Sequence, residues 1–404
     1  MELFRPFLNI LCLANWCLPV IGFGTFVLSA ALLIRGHYRR SAKLHRMLRP
    51  STKRYPRQDL IPVFPNGWIP VLESSELGKE DVKRIDLLGL ELVAFRTRDG
   101  VACVADAYCP HLGAHLGAVG RVVGDCIECP FHGWRFSGTT GACTHAPFAP
   151  KVPEFVKLKK WEVHEVLGFV FVWHHAEGEE PSWRIEDIPQ ITNGNWKLFC
   201  RFDNRISCHI RDIIENGFDT AHVKHLHKPN VLLSADTFLR SGGESLWARC
   251  TMNHWTAKNR VEAHRCFNEF DADVSILGKR WPVFRTIVKT QNIGPALILD
   301  HARSKFGTAW VVMAVLPEEP LQMRLIQRMH FEPNASWFFR YFLSKAHLYQ
   351  FQRDILIMNT KSLNERPPLQ PIDMNIREFR KWFSQFLSKN SPTWQTVRER
   401  TLQW

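Results

Sequence analysis

The 404-residue chain contains no internal repeat and no low-complexity tract, and its 45% hydrophobic and 23% charged content excludes a collagen-like, fibrous or disordered polypeptide. A disulfide framework is also missing. The eleven cysteines are odd in number and scattered; Cys12 and Cys17 fall in an apolar run, Cys109 and Cys129 in a motif, and the other seven read as small buried hydrophobes in a reducing compartment. No acidic residue occurs between Arg35 and Arg57, a stretch holding nine Lys/Arg (Arg35, Arg39, Arg40, Lys43, Arg46, Arg49, Lys53, Arg54, Arg57). Nine of the +13 formal charges are therefore local and +4 remains for everything else. A nucleic-acid binder would need basic residues spread over the folded domains, so that class is excluded.

Charge of either sign is absent from Pro6 to Ile34, twenty-nine residues, where about 20 apolar residues suffice to span a bilayer. A secretory signal needs a basic start, a shorter apolar core and a small-residue cleavage site. Here only Arg5 precedes the run and the basic collar follows it. Residues 1–34 are predicted to form a retained single-pass transmembrane anchor, and 35–60 a basic juxtamembrane linker held in the cytosol by the positive-inside rule. The expected location is a membrane, that of the endoplasmic reticulum, with the chemistry on the cytosolic side.

Beyond the collar, short β-like runs (Trp68 to Leu72, Leu90 to Arg96, Val101 to Ala105, Phe169 to Trp173) separated by turn signals predict a small all-β domain over 61–180. Ala176 to Pro181 reads as a linker. Over 181–404, Ile210 to Ala221, Phe342 to Asn359 and Ile376 to Leu387 carry helical periodicity, while Leu246 to Trp255, Ala296 to Asp300 and Thr308 to Leu316 read as strands. The expected class is α+β: a transmembrane helix, an all-β domain, then an α+β domain.

Two polar constellations stand out. Cys109-Pro-His111 is followed, seventeen residues later, by Cys129-Pro-Phe-His132. Two thiolates and two imidazoles can hold a structural zinc ion or a Rieske [2Fe–2S] cluster. Each loop supplies one Cys and one His, as needed when one iron takes both thiolates and the other both imidazoles, whereas zinc knuckles pair like ligands. Pro110, Gly113, Gly117, Pro130 and Gly133 would let backbone N–H groups approach the sulfurs. His115 lies outside the ligand pattern.

The second constellation is Glu215-Asn-Gly-Phe-Asp219-Thr-Ala-His222-Val-Lys-His225-Leu-His227. At 100° per residue Glu215, Asp219 and His222 share one face of one predicted helix, with Lys228-Pro229-Asn230 as its stop. The plain reading is a solvated acidic face with helix-terminal histidines. The functional one is two histidines that, with a carboxylate from elsewhere, form the facial triad of a non-haem Fe(II) oxygenase.

Together the motifs resemble the Rieske non-haem iron oxygenases over about residues 60 to 365. Ala114 and Phe131 stand where respiratory Rieske proteins have a disulfide, so the resemblance is to the oxygenase branch, and its catalytic domain is expected to be an antiparallel sheet with helices in a helix-grip arrangement. The resemblance implies a cluster on Cys109, His111, Cys129 and His132. It also implies a mononuclear Fe(II) on His222 and His227, from a D-x-x-H-x4-H motif, with His225 as the geometric rival. The third ligand is a downstream carboxylate. Asp300, Glu318, Glu319, Glu332, Asp354 and Asp373 are available, and Gln352-Arg-Asp354-Ile-Leu-Ile most resembles the family's helix, which selects Asp354. Burying a carboxylate among Phe351, Ile355 and Ile357 without a cation would be costly; the alternative is a surface aspartate beside Arg353.

In this family Asp219 would bridge His222 to His132 or His111 of a neighbouring subunit, which implies a ring-shaped homotrimer. O2 is the implied co-substrate, with NAD(P)H electrons arriving from a partner reductase or ferredoxin-type donor. The membrane anchor and the tail Asp354-Ile-Leu-Ile…Asn-Glu-Arg-Pro-Pro-Leu are most similar to the animal cholesterol 7-desaturases, so cholesterol is the implied sterol substrate and C7–C8 desaturation to 7-dehydrocholesterol the implied reaction. Bacterial 3-ketosteroid 9α-hydroxylases share the catalytic segment without the anchor, which leaves a steroid or lipid hydroxylase as the alternative. A membrane-tethered Rieske electron carrier would have no use for Asp219, His222 and His227. Trp255, Trp281 and Phe284 are candidates to wall an apolar cavity, or to pack in the core.

Overall fold

The computed structural model describes residues 61–402. The expected anchor and basic linker, residues 1–60, lie outside the described residues, and among the described ones no helix is long and apolar enough to cross a membrane.

Residues 67–174 build three small antiparallel sheets. Gly67–Glu73 pairs with Phe169–His174, which pairs with Val163–Val166; Val82–Leu87, Leu90–Arg96 and Ala102–Asp106 form a meander; and Arg121–Val123, Cys126–Glu128, Arg135–Ser137 and Cys143–His145 form a four-stranded sheet. Burial runs over consecutive positions, Gly67–Glu73 throughout and Leu92 to Phe95 of the meander likewise. Val93, Phe95, Ile127, Leu116 and Phe136 meet in one core that also takes in Cys109 and Cys129. Leu167 and Gly168, at φ 55° and 77°, make the two-residue turn between Val163–Val166 and Phe169–His174, the left-handed pair that a tight hairpin demands.

The rest is an eight-stranded antiparallel sheet. Its path runs Lys197–Ile206, Gln322–Phe331, Gly307–Glu319, Leu297–Ser304, Thr286–Ile293, Arg265–Ile276, Thr251–Glu262, with Lys279–Arg280 paired beside Arg265–Ile276. The 22-residue helix Trp337–Met358 and the short helices Ile210–Glu215 and Thr220–Leu226 pack against it. An all-β domain followed by an α+β domain is the predicted order. The two interlock. Buried Glu73 of the first strand accepts from Arg201 and lies 3.7 Å from Arg328, both on the large sheet, while the C-terminal segment returns so that the N–H of Asn66 donates to Phe386 O at 2.7 Å and that of Val63 to Pro392 O at 2.8 Å.

Two expectations are corrected. The helix read over Ile210 to Ala221 is two helices, because Asn216 and Gly217 turn the chain and Asp219 N-caps the second, its Oδ1 accepting from the N–H of His222 at 3.0 Å. Glu215, Asp219 and His222 therefore do not share a helical face. Leu246 to Trp255 is not all strand: Leu246–Cys250 is helical, N-capped by Ser245, and the strand starts at Thr251.

Candidate metal centres

The two cysteine loops are built alike. Cys109-Pro-His-Leu-Gly113 closes with the N–H of Gly113 donating to Cys109 O at 2.9 Å, and Cys129-Pro-Phe-His-Gly133 repeats this with Gly133 at 2.9 Å. The N–H of Cys109 donates to Ala114 O and that of Cys129 to Trp134 O. Both glycines sit near φ 73° and 72°, where a side chain is strained. Cross-strand pairing anchors the second loop: buried Glu128, just before Cys129, is held by Arg121 at 2.6 Å and Arg135 at 2.7 Å, its neighbours on either strand.

At the loop tips His111 and His132 face each other with ring centroids 4.7 Å apart, and Trp134 stacks flat on His111 at 4.4 Å. Both imidazoles are half-buried, while Leu112 and Phe131 beside them are exposed. The two sulfurs lie together beneath. Burial, aided by the adjacent Cys129, pushes the Cys109 thiol up to about 11, although the N–H groups of His111 and Leu112 pull the other way. A thiolate pair in this setting needs a cation beside it at neutral pH, so the donor set fits an iron–sulfur cluster. All nine described cysteines are free. His115 is structural: its Nδ1 accepts from the N–H of Ala118, capping the turn Leu116–Val119, and its ring packs edge-on against Tyr108.

The second centre joins two distant pieces of chain. His222 lies in the helix Thr220–Leu226 and His227 is its C-cap; Asp354 projects from the last turns of Trp337–Met358. Their ligand atoms lie within 4.8 Å of one another. Asp354 Oδ1 is 3.0 Å from His227 Nε2 and 3.8 Å from His222 Nε2, yet no hydrogen bond of acceptable angle reaches that oxygen. Three donors aimed at one point, one of them an otherwise orphaned buried carboxylate oxygen, fit a divalent metal. Burial alone would raise the Asp354 carboxyl; His227, His222 and the side chain of Asn216 hold it below the usual carboxylate range. The His222 imidazole is pushed down, first by burial, which favours the neutral ligand form.

His225 is exposed and outside this group. The other candidate carboxylates are elsewhere: Glu318 pairs with Arg205, Glu332 accepts from the N–H of Thr308, Asp373 from that of Gln370, burial raises the Glu319 carboxyl, and Asp300 faces Thr290. Glu215 is taken by Arg380 at 2.7 Å. Asp219 is one-third exposed. Its carbonyl oxygen, not its carboxylate, accepts from His222 Nδ1 at 2.6 Å, the carboxylate oxygen Oδ2 standing 3.9 Å away.

Three supporting residues carry no motif. Arg353, fully buried, turns from Asp354 and donates to the carbonyls of Leu226, Asn230 and Leu233. Asn253 Nδ2 donates to His227 O at 3.0 Å and Pro229 O at 2.9 Å, and Trp255 Nε1 to His227 O at 3.2 Å. Together they fix the backbone that aims His227. The only legible signal was the apolar setting of Arg353.

From the three ligands an apolar cavity of about 540 Å³ runs between the long helix and the inner face of the sheet. Ile213, Val223, Phe270, Val288, Met313 and Phe351 line it, as do Trp255 and Phe284, while Trp281 does not. Phe284, Phe306, Phe338 and Phe342 both line it and are exposed, so they mark its mouth.

Residues 67–156 match the Rieske [2Fe-2S] domain and 172–387 the 3-ketosteroid 9alpha-hydroxylase C-terminal domain. Cholesterol 7-desaturase nvd of Xenopus laevis is 37% identical over 87% of this chain and 78% of that protein. The cholesterol 7-desaturase of Caenorhabditis elegans is 36% identical over 83% and 79%, respectively. A probable 3-ketosteroid-9-alpha-monooxygenase oxygenase component of Rhodococcus rhodochrous is 29% identical over 75% of each chain. Among solved structures, dicamba monooxygenase bound to dicamba is similar in fold, with a TM-score of 0.59 at 16% identity over 80% of this chain and 97% of that one. The protein is an oxidoreductase whose cofactors are a [2Fe–2S] cluster and a mononuclear iron, with O2 as co-substrate. By its two matched domains and by its identity to full-length relatives, the chain belongs to the Rieske non-haem iron oxygenases, in the family that includes the cholesterol 7-desaturases.

Proposed function

We propose that this oxygenase is a membrane-anchored sterol desaturase that converts cholesterol to 7-dehydrocholesterol. The observation that carries this reading is the cavity: a long, largely hydrocarbon-lined channel that ends on His222, His227 and Asp354, which suits a rigid apolar substrate whose reacting carbon is at depth. The bound metals supply O2 activation and one-electron relay, with electrons from NAD(P)H through a reductase. Loss of hydrogen at C7 and C8 releases two electrons and two protons; with two of each from the reductase, O2 ends as two waters. The chain's own residues orient and exclude. Phe351, Val223 and Ile213 wall the sterol beside the ligands, and Arg353, Asn253 and Trp255 hold His227 still.

The exposed phenylalanines at the mouth support entry from lipid, in keeping with an N-terminal anchor that would tether the domains to the bilayer with the charged collar on its surface. A homotrimer is part of the proposal: Asp219, whose carboxylate is one-third exposed, would meet a cluster histidine of a neighbouring subunit. The deciding experiment expresses the full chain, and Asp354→Ala beside it, in cells fed cholesterol, with sterols read by mass spectrometry. 7-Dehydrocholesterol is expected from the wild type alone. A hydroxylated sterol would make the protein a hydroxylase, and no sterol product despite Rieske absorbance in the purified protein would dismiss the substrate.

A further inference from the structure

Besides the metal ligands, two titratable groups line the cavity: His347, stacked against Phe202 and Phe351, and Asp300. Along the strand Leu297–Ser304, Ile298, Asp300, Ala302 and Ser304 line the cavity, while His301 points the other way and stacks on Trp310. Asp300 is opposite Thr290, which is opposite Asn268, so the three form one polar row across three strands. Thr290 Oγ1 donates to Asp300 Oδ1 at 2.6 Å. Among the described residues no other side chain or backbone group hydrogen-bonds or ion-pairs with that carboxyl. Asn268, next in the row, leaves its side-chain amide unpartnered, as does Asn259 opposite it on the following strand.

An ionised carboxylate offers about four acceptor sites, and Thr290 fills one. A carboxyl facing apolar walls with one partner is unfavourable as packing, and burial pushes it up to about 6, only partly offset by Thr290. It is not a spare metal ligand either, since it stands outside the group formed by His222, His227 and Asp354. Its depth is informative. The Cβ position of Gly217, just before the histidine helix, is 3.1 Å from Asn268 Nδ2, and Asp300 is two strand spacings, about 10 Å, along the row from Asn268. The row therefore runs from beside the histidine helix, at Asn268, to the cavity wall, at Asp300. Ser304, four residues toward the mouth along the same strand, is about 13 Å away.

We propose that Asp300, steadied by Thr290, is the subsite that recognises the substrate's hydroxyl, accepting the hydrogen bond donated by the 3β-hydroxyl of a sterol. This rests on the sterol reading above. A sterol has a single hydrogen-bonding group at one end of four fused rings, and burying it unpaired is unfavourable. Its C3 and C7 lie in adjacent rings, so a hydroxyl held at Asp300, inward of Ser304, turns rings A and B into the cavity and leaves the alkyl tail toward the phenylalanines of the mouth. A 3-keto steroid offers only an acceptor, which a carboxylate opposes. A site built around a substrate hydroxyl rejects analogues that lack it.

The test measures binding and turnover separately on the full chain, purified in detergent with both metals loaded. Displacement of labelled cholesterol by unlabelled cholesterol, by cholest-5-ene without the hydroxyl, and by cholest-4-en-3-one gives the preference ratios. The wild type should favour cholesterol over the 3-deoxy compound by roughly 10- to 100-fold, the range of a hydrogen bond to a charged acceptor. Asp300→Leu should bring that ratio to near one. Asp300→Asn, which keeps the shape and adds an N–H donor, should lose most of the preference and gain on the ketone. Thr290→Val should shift the ratios in the same direction by less. Unchanged Rieske absorbance and iron content show that each variant has folded. Preference for the hydroxyl surviving in both Asp300 variants, or absent from the wild type, overturns the assignment. Turnover is read on its own: a wild type that binds cholesterol through Asp300 yet makes no 7-dehydrocholesterol refutes the desaturase reading and leaves the subsite standing.

Discussion

Asp300 shows how far a single residue can depart from what its neighbours in sequence suggest. In the chain it is one acid in a strand; in the fold it faces apolar walls with Thr290 alone. A carboxyl that titrates at about 6 when folded and at about 3.9 in an unfolded chain binds its proton more tightly in the native state. The contribution of this carboxyl to stability is then greatest below pH 4, declines as pH rises from about 4 to about 6, and stays lower above that. Asp300→Asn removes this dependence. It is expected to melt higher than the wild type at pH 7.5, by the equivalent of about 3 kcal/mol, the gain shrinking to nothing near pH 4. Thermal melts across that range, at equal metal loading, check it; a pH-independent gain would trace the effect to packing. Asp354 is the opposite case, a buried carboxyl held low by two histidines and Asn216. Sequence resemblance could select it from six acids because it sits in a recognisable helix. Nothing comparable marked Asp300, whose partner and cavity exist only across strands.

At the scale of elements, the histidine helix Thr220–Leu226 is too short to stand alone, since helices below about 12 residues are marginal in water. Its two ends are tied by different means. Asp219 caps the start. The finish is held by Arg353, reaching across from the long helix to the carbonyls of Leu226, Asn230 and Leu233. Arg353→Met would remove the guanidinium donors to Leu226 O and Leu233 O and one of the two donors to Asn230 O, which also accepts from the N–H of Leu233, at about 2–4 kcal/mol of folding stability. Freed backbone at His227 should also weaken iron binding roughly 10- to 100-fold. Denaturant melts and iron titration measure the two effects separately, and unaltered iron affinity would show that His227 is positioned without Arg353. The sequence did carry the break in this region. Asn216, Gly217 and Asp219 are turn and cap residues, but the 100° periodicity through Ile210 and Ile214 masked them. Likewise Ser245 is a cap whose helix, Leu246–Cys250, was hidden in a run that otherwise reads as strand. The cysteine loops were legible because each is closed within itself, Gly113 to Cys109 and Gly133 to Cys129.

Across the whole molecule, the two centres lie in separate domains joined by contacts such as Glu73 with Arg201 and Arg328. Asp219 is the residue of the iron region with a carboxylate turned partly to solvent. In the proposed homotrimer it bridges to a neighbour's cluster histidine, so Asp219→Asn, which keeps a helix cap and removes the charge, should leave both metals bound, with Rieske absorbance and iron content intact, and reduce turnover by at least about 100-fold, a loss of about 2.7 kcal/mol or more in barrier terms. Metal analysis, absorbance and product formation on one preparation decide it, and full activity would remove Asp219 from the path between subunits.

The sequence by itself determined what is local: the candidate ligands of each cysteine loop, the Asp219–His222–His227 spacing, the order of a β domain before an α+β domain, and the family. Tertiary structure decided what depends on distant segments meeting. It brought Asp354 to the histidines across more than a hundred residues of chain, placed Arg353 and Asn253 behind His227, and set Asp300 on the wall of a cavity. The physical reason is range. Turns, caps and ligand spacings act over a few residues and leave a pattern in the string, whereas a cavity wall and the hydrogen bonds behind a ligand are made by side chains whose proximity is fixed by strand pairing and packing alone.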